Sequence, residues 1–100
     1  MNATTKPPRK RSPRMPVVRF EIIEPEAREV FLTGSFNNWH ATATPLLNLG
    51  GGSWVKDLAL PPGRYEYLFV VDGEWRPDPA ATESVTNVYS GFNSVRVVPG

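Results

Sequence analysis

Two tryptophans stand directly after short polar turns, in positions where an indole ring can bind a ligand. Trp39 ends the run GSFNNW at residues 34–39, and Trp75 ends the run VDGEW at residues 71–75. Burying an indole face is strongly favourable, yet the tip of a turn offers little core in which to bury it. A sugar ring suits an indole that is flanked by Asn, Asp and Glu side chains, because these supply partners for its hydroxyls. The two tryptophans therefore predict a surface site for carbohydrate.

A structural role is the alternative for each of these side chains. A lone turn tryptophan more often closes the end of a fold, but two with polar flanks favour a surface site. Trp54 begins a strand interior and is interpreted as core. Asn37 and Asn38 are typical turn residues, so a turn role is favoured over ligand contact. For Asn93, in the loop before the last strand, the turn role and the sugar-binding role stay open.

The chain lacks the residue sets that common enzyme and metal sites require. Cysteine is absent, which excludes thiolate metal sites, and His40 is the single histidine, so histidine-rich metal clusters and Ser/His/Asp catalysis are only weakly supported. Asp72, Glu74 and Asp78 are close in sequence, but a domain this small offers little cleft for a paired-carboxylate glycosidase. The glycines at 50–52 are not followed by the Lys-Ser/Thr of a phosphate loop. No catalytic residue, metal or cofactor is predicted.

The charge is divided unevenly along the 100 residues. Residues 1–16 contain five basic residues, four prolines and no acidic residue, whereas the remaining chain contains six basic and ten acidic residues. Proline removes backbone donors, so we expect residues 1–16 to be a disordered basic tail. Such a tail suits nucleic acid, anionic lipid or an acidic protein, but a plain solubilising extension is as consistent with it. Nucleic acid is disfavoured, because no aromatic residue is interleaved for base stacking.

From residue 17 onward the pattern is that of short β-strands. Strands are predicted at residues 17–24, 29–33, 54–60, 65–71 and 94–98, with Tyr65, Tyr67, Phe69 and Val71 on one face of the clearest one. The sequences PPG at 61–63 and DG at 72–73 supply turns between them. No stretch has a helical period. The spacing predicts one antiparallel β-sandwich domain over residues 17–100.

Four motifs in order carry a resemblance to a known family. They are GSFNNW at 34–39, LPPGRYEY at 60–67, FVVDGEW at 69–75 followed by Asp78 and Pro79, and Asn93-Ser94-Val95. Together they resemble carbohydrate-binding module family 48, the isoamylase N-terminal or early-set domain, and in particular the glycogen-binding domain of the AMP-activated protein kinase beta subunit. The resemblance spans about residues 17–98. It implies an immunoglobulin-like, early-set β-sandwich that binds α-1,4-glucans.

The resemblance also implies roles for individual residues. Trp39 and Trp75 match the tryptophans that stack on glucose units, and Asn93 matches a loop asparagine that bonds sugar hydroxyls. Leu68 occupies the position of a sugar-contacting lysine, a departure that implies weaker binding. Tyr89 lies near the position of a loop leucine that reaches into the glucan ring, with a one-residue difference in loop length.

The predicted function is a non-catalytic module that recognises glycogen, starch or maltooligosaccharides. The alternative is a regulatory or protein-interaction early-set domain with a vestigial sugar site. The predicted partners are an α-glucan and, beyond it, a glycogen-metabolising enzyme or a kinase; no membrane association is expected. Short apolar runs, no cysteine and no secretory signal predict a cytoplasmic protein. The chain length is compatible with a complete small protein and with a fragment.

Overall fold

The computed structural model describes residues 15–100 as an all-β sandwich of two antiparallel sheets. The predicted tail falls almost entirely on residues 1–14, which lie outside the described residues. The eight strands are β1 (Val17–Ile23), β2 (Val30–Gly34), β3 (Leu47–Gly50), β4 (Ser53–Ala59), β5 (Gly63–Val71), β6 (Glu74–Arg76), β7 (Ser84–Thr86) and β8 (Phe92–Val98). A 3₁₀ turn, Ser35–Asn37, follows β2. The predicted immunoglobulin-like β-sandwich is confirmed.

The strands divide into a sheet of three and a sheet of five. The smaller sheet has the order β1-β4-β3, and the larger has the order β2-β5-β8-β7 with β6 also paired to β5. Every strand pair is antiparallel. Two backbone bonds, Leu46 N–H to Val30 O and Leu32 N–H to Thr44 O, join the chain before β3 to β2. The sandwich is therefore closed along that side.

The core lies between the sheets and follows the alternation seen in the sequence. Strand β5 contributes Tyr67, Phe69 and Val71, and Phe20 from β1 packs edge-on against Tyr67 with ring centroids 5.0 Å apart. Trp54 is buried in the same cluster and donates its indole N–H to Glu24 O at 3.1 Å. The interpretation of Trp54 as core is confirmed.

Three strands that the pattern did not predict are β3, β6 and β7. Strands β6 and β7 have three residues each, and every residue of β3 is exposed. Alternation between buried and exposed residues cannot be recognised in segments this short or this uniformly exposed. Their positions depend on pairing with longer neighbours, which the sequence pattern alone does not reveal.

Candidate functional site

The outer face of the five-stranded sheet holds several of the residues predicted to bind sugar. Residues directly opposite each other in an antiparallel pair share a face. Because Tyr67 and Phe69 point into the core, their neighbours on β5 point outward. Two rows of this outer face follow from the pairing: one of Phe31, Val70 and Trp75, and one of Thr33 with Leu68. We call this surface the outer face of the large sheet.

Trp75 is the exposed aromatic residue at one side of this face. It lies on β6 opposite Val70, and 47% of it is accessible. The hairpin before it turns through Asp72 and Gly73, whose φ angles are +49° and +84°. This is the backbone that the Asp-Gly sequence predicts. A short strand thus holds the Trp75 ring on the sheet surface instead of leaving it on a free loop.

Asp72 fixes this hairpin to a distant part of the chain. Its Oδ1 accepts hydrogen bonds from the backbone N–H groups of Glu29 at 2.9 Å and Arg28 at 2.8 Å. Its own N–H donates to Glu29 O at 3.0 Å. The bonds from Glu29 and Arg28 hold the pKa of the Asp72 carboxyl below its ordinary value, because they stabilise the charged form. Asp72 therefore has a structural role, in which its Oδ1 is already occupied by two backbone N–H groups.

The turn before Trp39 is held by hydrogen bonds of Asn37 to the turn itself and to residues on either side of it. Asn37 accepts a bond from the Gly34 N–H at 3.1 Å, and its amide donates to Leu32 O at 3.1 Å and Thr44 Oγ1 at 3.0 Å. A Cβ on Gly34 would lie 2.4 Å from Glu66 O, so only glycine fits between the turn and β5. The turn role favoured for Asn37 agrees with these contacts.

Trp39 emerges from this turn in a left-handed backbone conformation. Asn38 and Trp39 have φ angles of +57° and +58°, and the Trp39 N–H donates to Gly34 O at 2.9 Å. The Trp39 side chain is half-buried, so it is less exposed than a loop-tip indole was expected to be. Trp39 follows the end of β2 on one side of β5, and Trp75 lies on β6 on the other side.

Leu68 lies on the outer face but is not exposed there. It was expected to face away from Tyr67 and Phe69, and its position opposite Thr33 agrees with that. Only 8% of Leu68 is accessible, however, because β5 is an inner strand with neighbours on both sides. The adjacent Thr33 hydroxyl is fully buried and has no hydrogen-bond partner within residues 15–100.

Asn93 is buried and belongs to a chain of side-chain hydrogen bonds that crosses from β8 to β5. Its Nδ2 donates to Glu66 Oε1 at 3.1 Å, and its Oδ1 accepts from Asn87 Nδ2 at 3.1 Å. Only 8% of Asn93 is accessible. An amide has two donor hydrogens and two acceptor positions, so these two bonds leave one of each unused. Asn93 lies within β8 and not, as the sequence had suggested, in the loop before it. Its neighbour Ser94 pairs with Tyr67, which points into the core, so the Asn93 side chain lies on the outer face.

Asn87 and Glu66 hold the candidate site residue Asn93, and the sequence reasoning did not identify either of them. Asn87 Oδ1 accepts from the N–H groups of Tyr89 at 2.9 Å and Gly91 at 3.0 Å, which shapes the loop between β7 and β8. An Asn at the start of a loop with Ser-Gly is a recognisable Asx-turn signal, and it was available in the sequence. No sequence signal linked Glu66 to Asn93, because their contact depends on strand register.

The loop that Asn87 shapes carries the most exposed apolar side chains of the described residues. Val88 is 89% accessible and Tyr89 is 87% accessible. The predicted contact residue Tyr89 is therefore available to a ligand, and Val88 next to it is equally available. Their exposure matches a loop that projects beyond the sheet.

A buried tyrosine–carboxylate pair lies on the inner side of the same sheet. Tyr67 O–H donates to Asp78 Oδ2 at 2.6 Å, and burial together with this bond raises the pKa of Tyr67. Asp78 also accepts from the Ala80 N–H at 2.9 Å, and its own N–H donates to Ser94 Oγ at 2.8 Å. These bonds fix the chain after β6. Residues 15–100 contain no cluster of His, Asp or Glu suited to a metal ion.

Comparison with known proteins gives matches over most of the described part of the chain. The family model for the glycogen recognition site of AMP-activated protein kinase matches residues 18–99. The chain is 45% identical over 70 residues to 5'-AMP-activated protein kinase subunit beta-1 of Sus scrofa, which covers 70% of this chain and 55% of that protein. It is 47% identical over 53 residues to subunit beta-2 of Mus musculus, covering 53% of this chain and 19% of that protein.

Two further comparisons extend beyond kinase subunits. Protein PTST homolog 2, chloroplastic, of Arabidopsis thaliana is 45% identical over 53 residues, covering 53% of this chain and 10% of that protein. A solved structure described as maltogenic amylase from S. marinus superposes with a TM-score of 0.72 at 25% identity, covering 84% of this chain and 14% of that one. The chain thus spans well under two thirds of the length of each of these proteins.

Proposed function

This chain belongs to the family of glycogen recognition sites of AMP-activated protein kinase, and we propose that it is a non-catalytic module that binds α-1,4-glucans. The observation that carries the proposal is the outer face of the large sheet, where Trp75 stands exposed at one side. The ligands would be glycogen, starch or maltooligosaccharides. The family match over residues 18–99 supports glucan recognition as the class of function.

In this proposal the tryptophans stack on glucose rings. The C–H face of a glucose ring is apolar, so an indole gains both buried area and a favourable interaction with the ring electrons. Trp75 is accessible for such a contact as it stands, whereas half-buried Trp39 presents only part of its ring. Both tryptophans belong to segments that flank β5, one on each side. A chain of successive glucose units would then contact both rings.

Polar contacts would come from the Asn93 chain of hydrogen bonds. Asn93 keeps one donor and one acceptor for sugar hydroxyls while Glu66 and Asn87 fix its orientation. A side chain that is already oriented loses less entropy when the sugar binds. Leu68 gives no hydrogen bond where a lysine would, which removes about 0.5–1.5 kcal/mol of binding free energy. We propose Tyr89 as a further apolar contact at the edge of the site.

Retention on insoluble starch tests the proposal directly. The full chain is incubated with starch granules or glycogen beads, and soluble maltoheptaose is added as the competitor. We expect retention that maltoheptaose reverses, together with a change in tryptophan fluorescence, because sugar would cover an exposed indole. Failure to bind with about millimolar glucan present, and no fluorescence change, would contradict the proposal. The alternative, a regulatory or protein-interaction domain with a vestigial sugar site, would then be favoured.

An enzyme or kinase is the proposed macromolecular partner. The matched relatives are named as subunits of AMP-activated protein kinase, and the amylase comparison places a similar domain within a larger enzyme chain. We propose that the module brings such a partner to glucan. The proposed compartment is the cytoplasm; one relative is named as chloroplastic, and cell fractionation distinguishes the two. No helix within residues 15–100 is long and apolar enough to cross a membrane.

A further inference from the structure

Strand β1 has one edge that pairs with no other strand in the described part of the chain. It lies at the end of the three-stranded sheet, with β4 on its inner side. The bonds from Leu60 N–H to Pro16 O and from Glu24 N–H to Gly52 O show that even-numbered residues point their backbone groups toward β4. The backbone groups of odd-numbered residues 17, 19, 21 and 23 therefore point to the free edge.

The space beside this edge is open. A groove of about 700 Å³ lies between β1 and the segment of residues 79–83. Within residues 15–100, the side-chain contact made to this edge is the bond from Arg96 to Arg19 O at 3.1 Å. A carbonyl oxygen has two acceptor positions, so Arg19 O can accept a second bond. An unpaired edge of this kind is a template for an additional strand.

The side chains beside the free edge show what kind of strand fits. Along β1 the exposed side chains are Val17, Arg19, Glu21 and Ile23, which read apolar, positive, negative, apolar. When a second copy of the strand runs in the opposite direction, this order places opposite charges across from each other and apolar residues across from apolar residues. In an antiparallel pair of two β1 strands centred on Phe20, Arg19 lies opposite Glu21 of the second copy, and Val17 lies opposite Ile23.

Hydrogen bonding and charge select the same register. The pairing of Arg19 with Glu21 joins two odd-numbered residues, so both point their backbone groups at each other and form a hydrogen-bonded pair. A shift by two residues in either direction would place Arg19 opposite Arg19 or Glu21 opposite Glu21. Like charges directly opposite each other are unfavourable. Of these three registers, only the one centred on Phe20 satisfies both conditions.

The neighbouring strand already contributes to this arrangement. Arg19 binds Asp57 on β4 through two bonds of 2.8 and 3.1 Å. Addition of Glu21 from a second copy would extend this to a row of alternating charges, Asp57, Arg19 and Glu21, across three strands. The chain's own residues 1–14 are a poorer occupant, because their prolines at 7, 8 and 13 lack the N–H that a ladder needs.

We propose that β1 is the interface of a symmetric dimer, in which the two three-stranded sheets join edge to edge. The contact is isologous, since each copy presents the same edge to the other. The outer faces of the two large sheets remain free. If the proposed glucan site is correct, the dimer carries two such sites and gains avidity on a polymeric glucan.

Two charge reversals test the register. Arg19→Glu and Glu21→Arg each place like charges opposite one another in a homodimer. Their mixture restores opposite charges, because each copy then supplies the complement of the other. Sedimentation velocity of the wild-type full chain up to about 1 mM is expected to show reversible dimers. Each variant alone should dissociate at least roughly tenfold more readily, and the equimolar mixture should recover heterodimers.

Glu26→Arg is the matched control, since it makes the same charge change at an exposed residue outside β1 and should leave dimerisation unchanged. Amide exchange locates the contact: protection of the Arg19, Glu21 and Ile23 N–H groups should rise with protein concentration. Protection of these groups in a monomer would assign the edge to residues 1–14 and overturn the proposal. A wild-type monomer in which these N–H groups are unprotected would also overturn the proposal. So would a dimer whose dissociation is unchanged by the two charge reversals.

Discussion

The turn before Trp39 is held mainly by hydrogen bonds to residues close in sequence, whereas the turn before Trp75 is held by contact with a distant loop. Asn37 makes three hydrogen bonds around the first turn, two of them to residues 32 and 34 nearby. In the second turn, Asp72 binds the backbone at residues 28 and 29, more than 40 positions away in sequence. The first turn therefore depends mainly on local hydrogen bonds, with a further contact between Ser35 and the Glu66 backbone of β5, and the second depends on the assembled sheet.

The accessible area of the two tryptophans differs in the same way. Trp39, at the end of its turn, is half-buried. Trp75, on a three-residue strand, is exposed, with 47% of its surface accessible. Similar sequence patterns thus place one indole partly within the structure and the other on the surface. In the proposed site Trp75 contributes mainly to binding, and Trp39 contributes to binding and to stability. The predictions below separate these contributions.

The largest effect is expected at Gly34. Gly34→Ala would place a Cβ 2.4 Å from Glu66 O and 2.9 Å from the Phe36 ring, and the backbone oxygen cannot move without disturbing β5. We expect a loss of about 2 kcal/mol or more in unfolding free energy, measured by urea denaturation. Gly91→Ala is the control, because its nearest contact would be 3.4 Å, an ordinary separation, from the Asn87 amide. Equal stability of Gly34→Ala and wild type would show that the turn is not tightly packed.

Trp75→Ala should affect glucan binding more than it affects stability. Loss of one stacking surface is expected to cost about 1–3 kcal/mol of binding free energy toward maltoheptaose, by analogy with other planar ligands. Isothermal titration calorimetry measures binding, and urea denaturation measures stability. Leu47→Ala is the control, since Leu47 is an exposed apolar residue (64% accessible) of the three-stranded sheet. Unaltered glucan affinity in Trp75→Ala would remove Trp75 from the site.

Trp39→Ala should reduce both the glucan affinity and the stability of the fold. We expect a binding loss similar in kind to that of Trp75→Ala, together with about 1 kcal/mol in unfolding free energy, because part of the ring is buried. The double variant should lose less binding energy than the sum of the single variants if one glucan chain contacts both rings. Strict additivity would indicate two independent contacts. No loss of stability would mean that the buried part of the ring contributes little.

The smallest effect is expected from acid titration of Asp72. Its pKa is lowered in the folded protein, so its contribution is present above the ordinary Asp pKa of about 3.9 and is lost as the pH falls through the folded value. Urea denaturation at pH 7 and at about pH 3 should therefore show a smaller loss of stability in Asp72→Asn than in wild type. Identical pH dependence of the two proteins would show that the Glu29 and Arg28 bonds do not stabilise the charged form.

The sequence was sufficient for the fold class and for the long strands. The alternation of Tyr65, Tyr67, Phe69 and Val71 predicts an amphipathic strand, and these residues do face the core. The Asp-Gly turn likewise has the positive φ angles that the residue types favour. These features depend on local periodicity and backbone preference, which neighbouring residues in the chain determine.

The exposure of the site residues could not be predicted in the same way. Leu68 faces outward as the alternation requires, yet it is buried because strands lie on both sides of it. The Asn87–Asn93–Glu66 chain of hydrogen bonds joins residues up to 27 positions apart. Periodicity specifies the direction of a side chain relative to its own strand. It contains no information about which strands become neighbours.

The sequence by itself determined an antiparallel β-sandwich with two tryptophans at polar turns, since alternation, turn residues and composition act over short distances. Only the tertiary structure decided that Trp75 is exposed while Trp39 is half-buried, and that Asn93 is held between Glu66 and Asn87. It also decided that one edge of β1 pairs with no other strand within residues 15–100. Each of these depends on the order and register of strands that are distant in sequence. That order results from burial of the whole core, to which residues from both sheets contribute together.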